Sequence, residues 1–103
     1  FEEQHGPDTT LSSWQAFAER FPQNPMGQFA LGNALYATQE PEAALAAFEN
    51  ATQIDPNMGA AWLNLAILQL QQEDTAAARE SLSQAASLEG EWQSRAQQLL
   101  ESL

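Results

Sequence analysis

A spacing of 34 residues recurs along the chain and constrains its fold more than any other feature. Pro22, Pro56 and Gly90 stand 34 residues apart, and each follows an amphipathic segment. Self-similarity at such a period is typical of stacked copies of one structural unit. Between these positions the residue types stay in register, and the matched pairs are Leu31 and Leu65, Gly32 and Ala66, Ala44 and Ala78, Phe48 and Leu82, and Ala51 and Ala85.

Each copy has the periodicity of two helices rather than of strands. Leu31, Ala34 and Leu35 recur at spacings of three and four, and a similar apolar pattern starts again after a short polar break. Pro41 follows the break in the first copy, where it suits the first turn of a new helix. Asp74 ends the break in the second copy and is a good N-cap. The sequence therefore predicts an all-α protein with two helices in each copy.

The matched positions resemble the signature of the tetratricopeptide repeat (TPR) family, W-x2-L-G-x2-Y, then A-x3-F, a further Ala and a final Pro. The chain departs from that signature at Gln28, where Trp is usual, at Gln69, where an aromatic residue is usual, and at Gly90. The first repeat, residues 25–56, supplies Leu31, Gly32, Leu35, Ala44, Phe48, Ala51 and Pro56, and the second, residues 59–90, supplies Trp62, Leu65, Ala66, Ala78, Leu82 and Ala85. The resemblance implies a right-handed superhelical stack of about six helices, a helix-turn-helix solenoid.

Gly32 lies in a Gly-Asn pair, which is also a signal for a hairpin turn. Its register with Ala66 instead predicts a position inside a helix. A glycine there costs about 1 kcal/mol relative to alanine, and close approach of a large neighbouring side chain compensates for that cost. The other small residues expected at helix crossings are Ala44, Ala51, Ala66, Ala78 and Ala85.

Segments on either side of the two repeats are expected to complete a single TPR domain over residues 9–103. Residues 9–22 are predicted as a half-repeat helix, and residues 91–103 as a capping helix, with the first helix of a third repeat as the alternative. Residues 1–8 show no periodicity and are predicted as a linker or mobile tail. The apolar stripes of the two flanking helices are Leu11, Trp14, Phe17, Ala18 and Phe21, and Trp92, Ala96, Leu99, Leu100 and Leu103.

The charge balance limits the partners that the surface can attract. The chain has 14 acidic residues against 3 basic ones, a net charge of −11. Such a surface repels nucleic acid and anionic membranes, although the charge could also serve solubility alone. No stretch is long and apolar enough for direct membrane insertion. We expect a soluble protein of either the cytoplasm or the periplasm. The lysine-free composition suggests a bacterial source.

The residue types needed for catalysis or metal binding are scarce. His5 is the only histidine and lies in the predicted tail, and there is no cysteine. A nucleophile with a positioned base, or a metal site with several converging ligands, therefore lacks material. We expect no catalytic residue, no metal and no cofactor, and hence no enzyme in this chain.

The TPR resemblance implies a concave groove, lined by the first helix of each repeat, that receives a peptide or partner helix. The groove residues carried over are Met26, Phe29, Asn33, Tyr36 and Ala37 in the first repeat, and Ala60, Leu63, Asn64, Ile67, Leu70 and Gln71 in the second. The alternative for Phe29, Tyr36, Leu63 and Ile67 is a place in the core between helices.

The three arginines, Arg20, Arg79 and Arg95, fall outside the carried-over groove positions. The resemblance offers one known mode of binding, in which Lys and Arg residues of the groove hold the acidic C-terminal tail of a partner. Without basic residues at the groove positions this mode is disfavoured, and an apolar or basic protein segment is the expected partner. The expected function is a protein-binding scaffold or adaptor within a larger protein. The alternatives are self-assembly into a homo-oligomer and, less favoured, the recruiting arm of an enzyme located elsewhere in the parent chain.

Overall fold

The computed structural model describes the backbone of residues 7–103 and the side chains of residues 11–103. This part of the chain contains helices, turns and no strand, which confirms the all-α prediction. The helices are α1 (Pro7–Arg20), α2 (Pro25–Ala37), α3 (Pro41–Ile54), α4 (Gly59–Gln71), α5 (Thr75–Ala86) and α6 (Trp92–Glu101). Each predicted repeat thus consists of two helices, α2 with α3 and α4 with α5.

The chain divides into two compact units, with the division between Ile54 and Asp55. In the first unit α2 packs against both α1 and α3. In the second unit α5 packs against both α4 and α6, and α4 also contacts α6. Each unit therefore places one repeat beside one flanking helix.

The helix boundaries follow from local chemistry. The Asn24 side chain accepts a hydrogen bond of 3.2 Å from the Gly27 backbone N–H and caps α2. Asp74 caps α5 in the same way, through a bond of 3.3 Å from the Ala77 N–H, as its position predicted. Pro41 is the first residue of α3, where its missing N–H costs nothing.

The turn inside each repeat uses the left-handed backbone region. Gln39 has a φ angle of 64° and Glu73 a φ angle of 62°, and the two residues are 34 apart in the sequence. In each repeat the N–H two residues after the first helix bonds back to its last turn, from Gln39 to Tyr36 and from Glu73 to Leu70. The two turns therefore share one backbone geometry without glycine.

The N-terminal helix differs in its limits from the predicted half-repeat of residues 9–22. It begins at Pro7, so residues 7 and 8 of the segment predicted as a tail belong to α1. Proline is common at the first helical position because its absent N–H would have no partner there. The helix ends at Arg20 because Phe21 precedes Pro22, and a residue before proline disfavours the helical region. Residues 1–6 of the predicted tail, with His5, lie outside the described residues.

The small residues at the predicted helix crossings are all buried, namely Gly32, Ala44, Ala51, Ala66, Ala78 and Ala85. Gly32 lies inside α2, so the Gly-Asn pair forms no turn. A Cβ atom at Gly32 would stand 2.7 Å from Cε1 of Phe48, which is closer than real contacts allow. The prediction that Gly32 is a packing residue inside a helix is therefore confirmed.

Glutamine replaces the usual aromatic residue at two signature positions and forms hydrogen bonds at both. In the second repeat, Trp62 Nε1 donates to the Pro56 carbonyl oxygen at 2.8 Å. In the first repeat, Gln28 Nε2 donates to the equivalent Pro22 carbonyl at 3.5 Å, a longer bond to the same place. Gln69 is buried and accepts a hydrogen bond of 2.8 Å from the Ser81 hydroxyl, which joins α4 to α5.

Helix α6 packs on the second unit through one face, whereas Leu103 of the predicted stripe follows the end of the helix and is exposed. Ala96 is fully buried in a cluster with Ala66, Leu82 and Ala85, and Leu99 and Leu100 pack against that cluster. Trp92 lies over Gly59, where a Cβ atom would overlap the indole ring, and its Nε1 donates to the Leu88 carbonyl at 3.0 Å. Residues 91–103 as a cap remain a prediction, because the same packing would suit the first helix of a third repeat.

Candidate protein-binding surface

The predicted groove residues of the first repeat follow one side of α2. Met26, Phe29, Asn33 and Tyr36 recur at spacings of three and four along the helix, which places them on a common face. Met26 has 59% of its surface exposed and Tyr36 has 47%. We call these four residues the α2 face. At a rise of 1.5 Å per residue, it extends for about 15 Å.

Phe29 belongs to the α2 face by its position on the helix, and its ring also packs against the core of the first unit. Its side chain is half-buried, and its ring centroid lies 5.9 Å from that of Phe48 at a tilt of 59°. Offset or tilted aromatic pairs of this kind stabilise a fold beyond the apolar area that they bury. Phe29 thus anchors the middle of the face, between the more exposed Met26 and Tyr36.

The residues predicted on α4 are less exposed than those on α2. Leu63, Asn64, Ile67 and Leu70 are half-buried, and Gln71 is exposed. Leu63 also packs against the buried cluster of the second unit, which favours the core alternative for that residue. The α2 set belongs to the first unit and the α4 set to the second.

Several polar members of the two sets already have partners within the protein. Asn33, Tyr36, Asn64 and Gln71 each take part in a hydrogen bond, ring contact or other electrostatic interaction. These residues are therefore not without interactions before a ligand binds.

None of the three arginines is a member of the α2 face, although Arg20 lines a depression together with Met26. Arg20 is in the last turn of α1, Arg79 is exposed on α5 and Arg95 is exposed on α6. No group of three or more potential metal ligands occurs within the part of the chain that the structure describes. None of the described helices is long and apolar enough to cross a bilayer.

A second exposed surface, not predicted from the sequence, lies where α1 passes into α2. Residues 20–26 line an open depression there, and Phe21 exposes 46% of its surface. The sequence placed Phe21 on the apolar stripe of the N-terminal helix, but the helix ends one residue earlier and the ring turns partly to solvent. Pro22 and Pro25, close on either side of the turn, were the available signal for an irregular segment.

Comparison with known proteins agrees with the repeat pattern and with the helix pairs. Two models described as tetratricopeptide repeat match the chain, over residues 3–59 and over residues 35–103, and each covers more than half of it. A search of curated proteins found no match. Repeats of this kind are generally modules of protein–protein interaction and typically lack catalytic activity. The chain therefore belongs to the tetratricopeptide repeat family.

Proposed function

We propose that this domain binds a basic, amphipathic segment of a partner protein along the α2 face, as a scaffold or adaptor within a larger protein. The observation that carries the proposal is the exposure of Met26 and Tyr36 on one side of a helix whose opposite side is buried. Large apolar side chains that remain exposed beside half-buried aromatic ones are typical of protein-binding surfaces. On the second unit, taken by itself, Leu63, Asn64, Ile67, Leu70 and Gln71 of α4 are proposed as protein-binding residues.

Charge favours a basic segment over an acidic one. The chain has a net charge of −11, and none of its three arginines belongs to the α2 face. A negatively charged surface attracts cationic partners and accelerates their association, and this effect weakens as salt screens it. Apolar side chains of the segment would cover Met26 and Tyr36, while its Lys or Arg residues would be attracted by the net negative charge of the chain.

Binding can be tested by calorimetric titration with two synthetic peptides of matched helical propensity. One peptide carries leucines on one face and lysines on the other, and in the second peptide every lysine is replaced by glutamate. We expect the basic peptide to bind and the acidic one to bind at least tenfold more weakly. Equal affinities, or tighter binding of the acidic peptide, would contradict the proposal if Tyr36→Ala weakens that binding.

A pair of matched variants locates the binding site. Tyr36→Ala removes an exposed aromatic residue from the α2 face, and Phe21→Ala removes one of similar exposure outside it. We expect Tyr36→Ala to weaken binding of the basic peptide by about tenfold and Phe21→Ala to leave it unchanged. Circular dichroism of both variants would establish that helix content is retained.

Self-assembly is the competing use of the same face. Two copies that each carry a charge of −11 repel one another, which disfavours close association without a compensating interface. Light scattering over a concentration series distinguishes the two uses. A monomer at all concentrations supports binding of a different protein, whereas a dimer that Tyr36→Ala dissociates would contradict the proposal.

A further inference from the structure

The depression between α1 and α2 is a second apolar surface, which shares only Met26 with the α2 face. Residues 20–26 line it, and its volume is about 620 Å³. The exposed side chains of Phe21 and Met26 contribute large apolar groups, at 46% and 59% exposure. This space accommodates a large side chain, although the depression is open and not an enclosed cavity.

The backbone around the depression is held by local bonds. The Phe21 N–H donates to the Phe17 carbonyl at 2.8 Å, and the Asn24 N–H donates to the Phe21 carbonyl at 3.1 Å. The Asn24 side chain caps α2, and the Phe17 ring packs against Gly27. Pro22 and Pro25 restrict the backbone further. A ligand would thus meet a surface that is already formed.

Charge at the depression is opposite in sign to that of the whole chain. Arg20 is the one charged residue in its lining, whereas the chain as a whole carries −11. The Arg20 guanidinium carbon lies 5.6 Å from the centroid of the Phe21 ring, so the cation is held beside the exposed aromatic surface. An arginine in this position can receive a carboxylate while the ring beside it receives an apolar group.

We propose that this depression binds a protein segment in which a large apolar side chain is followed directly by an acidic one. The apolar side chain packs between Phe21 and Met26, and the carboxylate accepts hydrogen bonds from Arg20. This ligand differs in charge from the basic segment proposed for the α2 face, so the inference stands whether or not that proposal holds. The complementarity rests on Arg20, the charged residue of the lining.

The test uses short fluorescent peptides and the intact chain. One peptide contains the sequence Gly-Leu-Phe-Asp-Glu-Gly, and its neutral counterpart contains Asn-Gln in place of Asp-Glu. Fluorescence anisotropy should show that the acidic peptide binds about fivefold more tightly, the range expected for an exposed ion pair. Arg20→Gln should remove that preference, while Arg79→Gln, a change of the same kind at an exposed site on α5, should preserve it.

Two further variants separate this surface from the α2 face. Phe21→Ala should weaken both peptides by about tenfold, because it removes the apolar part of the site, and Tyr36→Ala should weaken neither. Three results would overturn the inference: equal affinity for the two peptides in the unchanged chain, an Arg20→Gln variant that keeps the preference, or greater loss from Tyr36→Ala than from Phe21→Ala. Self-association of the chain without peptide that Phe21→Ala abolishes would also overturn it, since the occupant would then be a second copy.

Discussion

The ring of Phe48 lies against the backbone of Gly32, so closely that no side chain fits between α2 and α3 at that point. The equivalent residues of the second repeat are Ala66 and Leu82, which share one buried cluster and are both fully buried. A smaller residue on one helix thus accompanies a larger one on the other. The two repeats fill the same crossing with two different pairs of side chains.

Replacing the Gly32–Phe48 pair by the Ala–Leu pair of the second repeat should restore part of the stability that the two single substitutions remove. Gly32→Ala forces a Cβ atom toward the Phe48 ring, and overpacking of this kind costs about 1–3 kcal/mol, partly offset by the higher helix propensity of alanine. Phe48→Leu alone leaves unfilled space. The double variant reproduces the pair of the second repeat and should be less destabilised than the sum of the single changes. Urea unfolding of all four proteins measures this coupling, and strictly additive effects would show that the contact is unimportant.

The buried bond between Ser81 and Gln69 should behave as a unit. Gln69→Leu leaves the Ser81 hydroxyl buried without its acceptor, and Ser81→Ala leaves the Gln69 side chain without its donor. Each change should lower the free energy of unfolding by about 1–3 kcal/mol. The double variant replaces both polar groups and should recover part of that loss. A double variant that is less stable than either single variant would contradict this account of the bond.

The left-handed turns offer two stabilising substitutions. Gln39 and Glu73 have positive φ angles, which cost a residue with a Cβ atom about 1–2 kcal/mol. Gln39→Gly and Glu73→Gly should therefore raise the free energy of unfolding, by about 0.5–1 kcal/mol after the greater freedom of glycine in the unfolded chain is counted. Gln72→Gly is the matched control, because Gln72 has a φ angle of −94° and gains nothing from glycine. Thermal unfolding checks all three, and a loss of stability at both turn positions would contradict the prediction.

Binding of the basic peptide should depend on ionic strength. An increase in salt from about 0.05 to 0.5 M shortens the screening length from over 10 Å to less than 5 Å. We expect the affinity of the basic peptide to fall several-fold, while a peptide with neutral glutamines in place of its lysines changes little. Calorimetry at several salt concentrations checks this, and an affinity independent of salt would mean that apolar contacts alone select the partner.

The fold was predictable because the repeat period and the spacing of small and large residues determine the helix pairs directly. The packing role of Gly32 followed from its register with Ala66, without knowledge of Phe48 as its contact. The hydrogen bonds of Gln28 and Gln69 could not be predicted. The sequence shows that the usual aromatic residue is absent at these positions, but not which donor or acceptor the glutamine contacts. Nor did the exposure of Phe21, because an apolar stripe does not show where a helix ends.

The candidate surface was predictable only in part. Carry-over from the family placed Met26 and Tyr36 on an exposed side of α2, and both side chains are exposed. It also included Leu63, which packs against the core of the second unit. Periodicity assigns a residue to a side of a helix, whereas the depth to which neighbouring helices cover that side depends on their packing.

The most direct measurement is a two-dimensional NMR titration of the isotope-labelled domain with the basic amphipathic peptide. Our account predicts that the backbone signals of residues 26–36 shift most. It also predicts that Tyr36→Ala reduces these shifts at a subsaturating peptide concentration, while the spectrum of the free protein stays folded. Shifts confined to α3, α5 and α6, or no shifts at millimolar peptide, would contradict the assignment of the α2 face as the binding surface.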